Sequence, residues 1–320
     1  RGAVQIPLTL LPPTARRFDA LTVGLNSMDF LAVVEPYPTR NSKQQLRAFA
    51  QLPGGQCATA AVGLARLGWR TEYIGRFGDD DFGRAGLDSL VNEGVDVSRV
   101  VRVADATSQF AIILVDRETG ERTVLWDRHA GLAMTAADVS DAAVGDARVV
   151  LVDCHETVAV TSACHRARRA GARTVIDVER VRPGIQALLR EVDVIIAAEH
   201  FPVELTGRRE LGGALETLQR DTGAAIVCVT LGERGSLARC NGAEIHTPAF
   251  LIDAVDTTGA GDMFRAGFIA GWLHQAETGH LETVLRYANA VAALKCRALG
   301  ARTAAPTASE VAAFLGSATR

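Results

Sequence analysis

Lysine is almost missing from this sequence: Lys43 and Lys295 are the only two, and arginine supplies the rest of the 34 basic residues. With 37 acidic residues the formal net charge is −3, so no global basic field marks a nucleic-acid partner. No uninterrupted apolar stretch approaches the roughly 20 residues that cross a bilayer as a helix, which excludes such a span. The six cysteines, Cys57, Cys154, Cys164, Cys228, Cys240 and Cys296, are scattered without a CxxC pair, and most lie in apolar runs. That pattern predicts buried, reduced thiols in a cytoplasmic protein rather than disulfides or zinc ligands. The first 18 residues hold Pro7, Pro12 and Pro13 and lack the ordered parts of a signal peptide; they read as a flexible arm.

What is present suits an ample core, with 48% hydrophobic and 22% charged residues over 320 positions. Short β-rich runs alternate with longer helical ones, the signature of a parallel sheet covered by helices. Expected strands are Ala20–Val23, Thr71–Ile74, Val149–Val152, Thr174–Asp177, Val192–Ala197 and Ala225–Thr230. Expected helices are Gln56–Leu67, Phe82–Glu93, Thr157–Ala170, Leu211–Thr222, Gly259–His274, Leu281–Cys296 and Ser309–Leu315. No repeat appears, and no linker is long enough to divide residues 19–320 into two domains.

Two segments break the rhythm. Lys43–Leu52 alternates like an isolated strand, and Ser108–Val115 with Glu121–Trp126 reads as an antiparallel hairpin around a turn at Asp116–Gly120. Residues 30–52 and 108–127 are therefore expected to form a small sheet beside the main one. A lid over a pocket, a dimer contact and an ordinary edge hairpin are its three readings.

The most informative run is Val255-Asp256-Thr257-Thr258-Gly259-Ala260-Gly261-Asp262-Met263-Phe264, at the head of a long apolar helical pattern. Glycines at a helix start let backbone N–H groups converge where the helix dipole is positive, a place for a phosphate in transit. Asp262, just inside, cannot bind that phosphate, but it can take a proton from a hydroxyl attacking it. Phosphoryl transfer asks little else of a protein than alignment, charge neutralisation and a base. Taken alone, Gly-Ala-Gly and a helix-capping aspartate are ordinary; the whole string is far more specific. It is not a P-loop, because no Gly-Lys-Ser/Thr follows.

The string resembles the C-terminal signature of the ribokinase/PfkB sugar-kinase family. Three further stretches match that family in order. Gly24-Leu25-Asn26-Ser27-Met28-Asp29 is similar to its first strand end, Pro53-Gly54-Gly55-Gln56-Cys57-Ala58-Thr59 to its sugar-binding turn, and Gly75–Gly83 to its "G-x-x-G-x-D-x-x-G" stretch. The resemblance implies a ribokinase-like, Rossmann-type α/β fold with a β lid, and ATP with Mg²⁺ as cofactors. It makes Asp262 the base, Gly259 part of the phosphate turn, and the N–H groups of Ala260, Gly261 and Asp262 the charge-stabilising donors. Asp29, Gly54, Gly55 and Thr59 should meet the sugar. Thr230, Gly232 and Gly235 should meet the nucleotide phosphates, and Asn289 the adenine side. Asp256, Thr258 and Gly300 match a monovalent-cation loop of several members, so K⁺ is a candidate ligand.

Two departures stand out. Thr59 replaces the family's usual asparagine, and the family's "N-x-x-E" motif is absent after Val192–Ala197. Glu199 is the candidate there for Mg²⁺-bound water, out of the family's register. Gly120-Glu121-Arg122-Thr123, Val178-Glu179 and Ala292–Cys296 are similar to ketohexokinases. Gly55–Val62 and Ala290–Gly300 look more like sulfofructose kinases, which makes Lys43 a candidate for an anionic sugar. The resemblance thus implies phosphorylation of a primary hydroxyl of a ketose or ketose-like sugar by a lid-paired homodimer, without nucleic-acid or membrane partners. Ribokinase, 2-keto-3-deoxygluconate kinase, nucleoside kinase and a non-catalytic sugar-binding regulator are the rivals.

Overall fold

The computed structural model describes residues 3–275 and 279–318. Its main sheet runs Ala243–Thr247, Ser236–Cys240, Ile226–Thr230, Val194–Ala198, Arg173–Val178, Ala147–Asp153, Phe18–Val23, Thr71–Ile74. From Thr71–Ile74 to Ile226–Thr230 every pairing is parallel; the last two strands are antiparallel. The parallel strands read as continuous apolar runs because both of their faces are covered, and every residue of Ala147–Asp153 is buried. Helices Gln56–Arg66, Ala260–Gln275 and Leu281–Lys295 pack into the core on one face. Thr157–Arg169, Ile185–Leu189 and Leu211–Thr222 pack into the core on the other. All six expected strands and seven expected helices are present. All six cysteines are buried and free.

Phe18–Val23 pairs with Thr71–Ile74 on one side and with Ala147–Asp153 on the other. The chain therefore reverses its direction of strand addition there. In open parallel sheets the crevice beyond the carboxyl ends of strands at such a reversal is where ligands bind.

A second sheet has the order Ala48–Gly54, Ser27–Val34, Phe110–Asp116, Arg122–Asp127. Its register sets Asp29 beside Ala111, Ile113 beside Val124 and Val115 beside Arg122, so these side chains share one face. Phe30, Phe49, Ile112, Leu114 and Leu125 share the other. The expected strand at Lys43–Leu52 begins only at Ala48 and runs to Gly54. Lys43 lies in an exposed loop before it, where the polar Lys43-Gln44-Gln45 run offers no apolar face.

The arm expected to be flexible is packed. The Val4 carbonyl accepts the Leu281 N–H at 2.9 Å, the Ile6 N–H donates to the Gly279 carbonyl at 2.9 Å, and Arg148 Nε donates to the Leu11 carbonyl at 2.7 Å. Val4, Ile6, Leu8 and Leu10 alternate along the segment and rest on the core, a period-two pattern that the prolines masked. No helix among the described residues is long and apolar enough to cross a membrane.

Candidate active site

Two cavities, of about 350 and about 480 Å³, meet at Thr230 and Gly261, which line both. Asp29, Gly55, Arg122, Glu179 and Asp262 line the first. Gly232, Gly235, Phe250, Phe264, Asn289 and Ala292 line the second. The junction is the start of helix Ala260–Gln275.

Asp256 sets the turn that leads into this helix. Its Oδ1 accepts the N–H and hydroxyl of Thr258 at 2.8 and 2.7 Å, and its Oδ2 accepts the Gly300 N–H at 2.7 Å. The Ala260 N–H donates to the Thr257 carbonyl at 3.1 Å, so it is not available to a ligand as expected. The N–H groups of Gly261 and Asp262 have no acceptor among the described residues and open at the junction, as first-turn donors do. Gly259 lines the first cavity.

Asp262 stands half-buried in the first turn. Poor solvation, together with the nearby Asp177 carboxylate, pushes its pKa up to about 8, while Arg265 pulls it back. Arg265 donates to the Gly261 carbonyl at 3.0 Å and to the Ile196 carbonyl at 3.2 Å, and its Nη2 stands 3.0 Å from Asp177 Oδ1. Burial raises Asp177 as well, against the pull of Arg265. A carboxyl poised in this range beside two free N–H groups is suited to take a proton near neutral pH.

On the sugar side of the family match, Asp29 is buried and its Oδ1 accepts the Ser27 hydroxyl at 2.8 Å; burial raises its pKa. A Cβ on Gly54 would come within 2.0 Å of Asp29 Oδ2, and Gly55 holds φ at +91°, so this turn demands glycine twice. Thr59 does not reach the cavity. It is wholly buried behind the turn, where its Oγ1 accepts from Arg302 Nε at 3.3 Å. Arg302 also donates to the Gly54 carbonyl at 2.6 Å and to Ser89 Oγ at 3.0 Å. Lys43 is likewise outside the cavity, and Arg122 is the cation that the small sheet presents there.

Thr230, Gly232, Gly235 and Asn289 all line the second cavity; the Asn289 amide ties down the Thr247 and Pro248 carbonyls at 3.1 and 3.2 Å. Glu199 is occupied elsewhere, pairing with Arg234 at 2.5 Å outside both cavities. No cluster of three or more metal-ligating side chains occurs among the described residues. Asp256, Thr258 and Gly300 do come together, but a monovalent ion does not fit them: the Asp256 carboxylate already accepts three hydrogen bonds, and Lys295 Nζ, a cation, donates to its main-chain carbonyl at 2.7 Å.

Asp177, Glu179, Arg265 and Arg302 went unassigned from the sequence. Asp177 and Glu179 stand at the carboxyl end of an expected strand, a usable signal. Arg265 and Arg302 gave none, since the partners that tie each to the site, Asp177 for Arg265 and Gly54 for Arg302, are remote in the chain.

The pfkB family carbohydrate kinase model matches residues 18–308. An ATP-dependent ribose-1-phosphate kinase from Halopiger xanaduensis is 33% identical over 306 residues, covering 92% of this chain and 97% of the relative. A fructokinase from Klebsiella pneumoniae is 32% identical over 276 residues, covering 80% and 89%. The solved Arabidopsis thaliana ribokinase, complexed with ribose and ATP, superposes with a TM-score of 0.80 at 25% identity, covering 93% of this chain and 98% of that one. With its ribokinase-like fold and its Asp262 turn at the cavity junction, the chain belongs to the pfkB family of carbohydrate kinases.

Proposed function

We propose that this kinase transfers the γ-phosphoryl group of Mg·ATP to a primary hydroxyl of a ketose or ketose-like sugar, with Asp262 as general base. The observation that carries the reading is the placement of Asp262 and Gly261 where the two cavities meet. A sugar in the first cavity turns its hydroxyl to Asp262, and Asp29 accepts hydrogen bonds from other hydroxyls. The nucleotide enters the second cavity, with its adenine against Phe250 and Ala292 and its phosphates towards Gly232, Gly235 and Thr230. The Gly261 and Asp262 N–H groups then face the moving phosphoryl group and stabilise its charge. Magnesium is held chiefly by the phosphates when bound, and neutralises their charge. Glu179, on the wall of the first cavity, is the carboxylate suited to orient its water shell; Glu199, outside both cavities, is not.

A second reading concerns substrate charge. Arg122 lines the sugar cavity, forms no ion pair among the described residues, and lies close enough to act on Asp29 and Asp262. An anionic substituent on the sugar would complement it, as a phosphate would, and the Halopiger relative is named for a sugar phosphate. A coupled assay of ADP release over fructose, ribose, ribose 1-phosphate, 2-keto-3-deoxygluconate and nucleosides tests both readings. Turnover with a ketose supports the first, and preference for the anionic sugar supports the second. No ADP release with any of them overturns the proposal.

We further propose that two copies pair through the outer face of the small sheet. Phe49 (59% exposed), Ile112 (42%) and Leu125 (56%) lie there beside two open sheet edges that need cover. Buried free thiols and an ATP-dependent reaction suit the cytoplasm.

A further inference from the structure

We infer that the ε-ammonium of Lys295 is the resident cation of the turn that starts the catalytic helix, so this kinase needs no monovalent metal ion. The inference rests on the kinase reading only for its activity arm.

Lys295 ends helix Leu281–Lys295 and is 0% exposed. Its Nζ donates to the Asp256 main-chain carbonyl at 2.7 Å, and no carboxylate among the described residues forms an ion pair with it. An ammonium in an apolar interior is costly unless its charge is used. Here it is aimed at the carbonyl where the Asp256–Asp262 turn begins. The Asp256 carboxylate is engaged from other directions, by the N–H and hydroxyl of Thr258 and the N–H of Gly300.

A metal ion using the same carbonyl oxygen would sit within about twice that 2.7 Å of Nζ, where two buried like charges repel strongly. The side-chain choice fits the role. Arginine occupies every other basic position except the exposed Lys43. A compact ammonium is a point charge that concentrates on one oxygen, whereas a guanidinium spreads its charge over a planar fork of five N–H donors. The charge also lies under the turn whose Gly261 and Asp262 N–H groups face the phosphoryl path, adding to their positive potential.

The test compares buffers of equal ionic strength containing tetramethylammonium or K⁺, reading both turnover and thermal unfolding. The wild type should differ by less than about twofold in kcat, with no K⁺-dependent rise in Tm, because nothing binds. Lys295→Met should lose at least about tenfold in kcat without K⁺ and regain part of it with K⁺, while its Tm rises with K⁺ concentration. Saturable K⁺ activation of the wild type, or a K⁺-dependent rise in its Tm, would overturn the inference. So would full activity of Lys295→Met in K⁺-free buffer. If Lys295→Met does not fold, the wild-type arms still decide. If the kinase reading itself fails, turnover is absent in every buffer and the thermal arm alone gives the answer.

Discussion

Arg265 Nη2 lies 3.0 Å from Asp177 Oδ1, both side chains nearly sealed from solvent, one helical turn from Asp262. The pair ties the catalytic helix to the carboxyl end of strand Arg173–Val178, and it sets the field at the base. Asp177 raises the Asp262 pKa and Arg265 lowers it. A buried pair is not kept for stability alone, since apolar replacements often serve as well, while losing one partner costs about 3–5 kcal/mol.

A pH dependence follows with a definite sign. The base must be ionised, so kcat/KM should fall as pH drops through the raised pKa of Asp262, near 8 in the free enzyme. Asp177→Asn removes a negative neighbour and frees Arg265, so the acid limb should move to lower pH. Profiles of kcat/KM between pH 5 and 9 for both proteins check this. A wild-type limb in the ordinary carboxylate range, or a shift to higher pH in the variant, would contradict it.

At the sugar turn, Asp29→Ala should weaken sugar binding by roughly 2–4 kcal/mol if two charge-assisted bonds vanish. Gly54→Ala should damage the same step, because its Cβ would meet the Asp29 carboxylate at 2.0 Å. Calorimetric titration with the best sugar measures both. Unchanged sugar affinity in Asp29→Ala would show the residue to be a turn carboxylate only.

Arg302 should act as a positioning residue, because it holds the Gly54 carbonyl at 2.6 Å without lining the cavity. Arg302→Gln should raise the sugar KM about tenfold, the scale of one buried carbonyl left short of a donor. The ATP KM should change far less. Equal losses on both substrates, with a lower Tm, would mark a purely structural role.

The outer face of the small sheet should be buried in solution. Light scattering at micromolar concentration should give a dimer mass, and Phe49→Asp should release monomers. A strict wild-type monomer would rule out this pairing.

Much of the fold was legible because the parallel strands are apolar on both faces and the helices between them carry strong periodicity. Strand Ser27–Val34 escaped notice, since its Phe30–Val34 run is apolar throughout and shows no alternation to separate two faces. Within the site, Asp262, Asp29 and the glycine turns were readable because backbone geometry demands them locally. Arg302 and Arg265 were not, since each acts on a carbonyl or carboxylate brought near only by the fold: Gly54 is 248 positions from Arg302. Thr59 was misplaced for the same reason, because its partner is Arg302 rather than a sugar.

The central claim, that Asp262 removes the proton from the acceptor hydroxyl, meets its most direct test in Asp262→Asn. That change keeps size and hydrogen bonding but removes the base. Steady-state kinetics with the best sugar, alongside calorimetric binding of sugar and nucleotide, should show kcat lower by at least about 10²-fold with affinities changed far less. Near-normal turnover in Asp262→Asn would contradict the account.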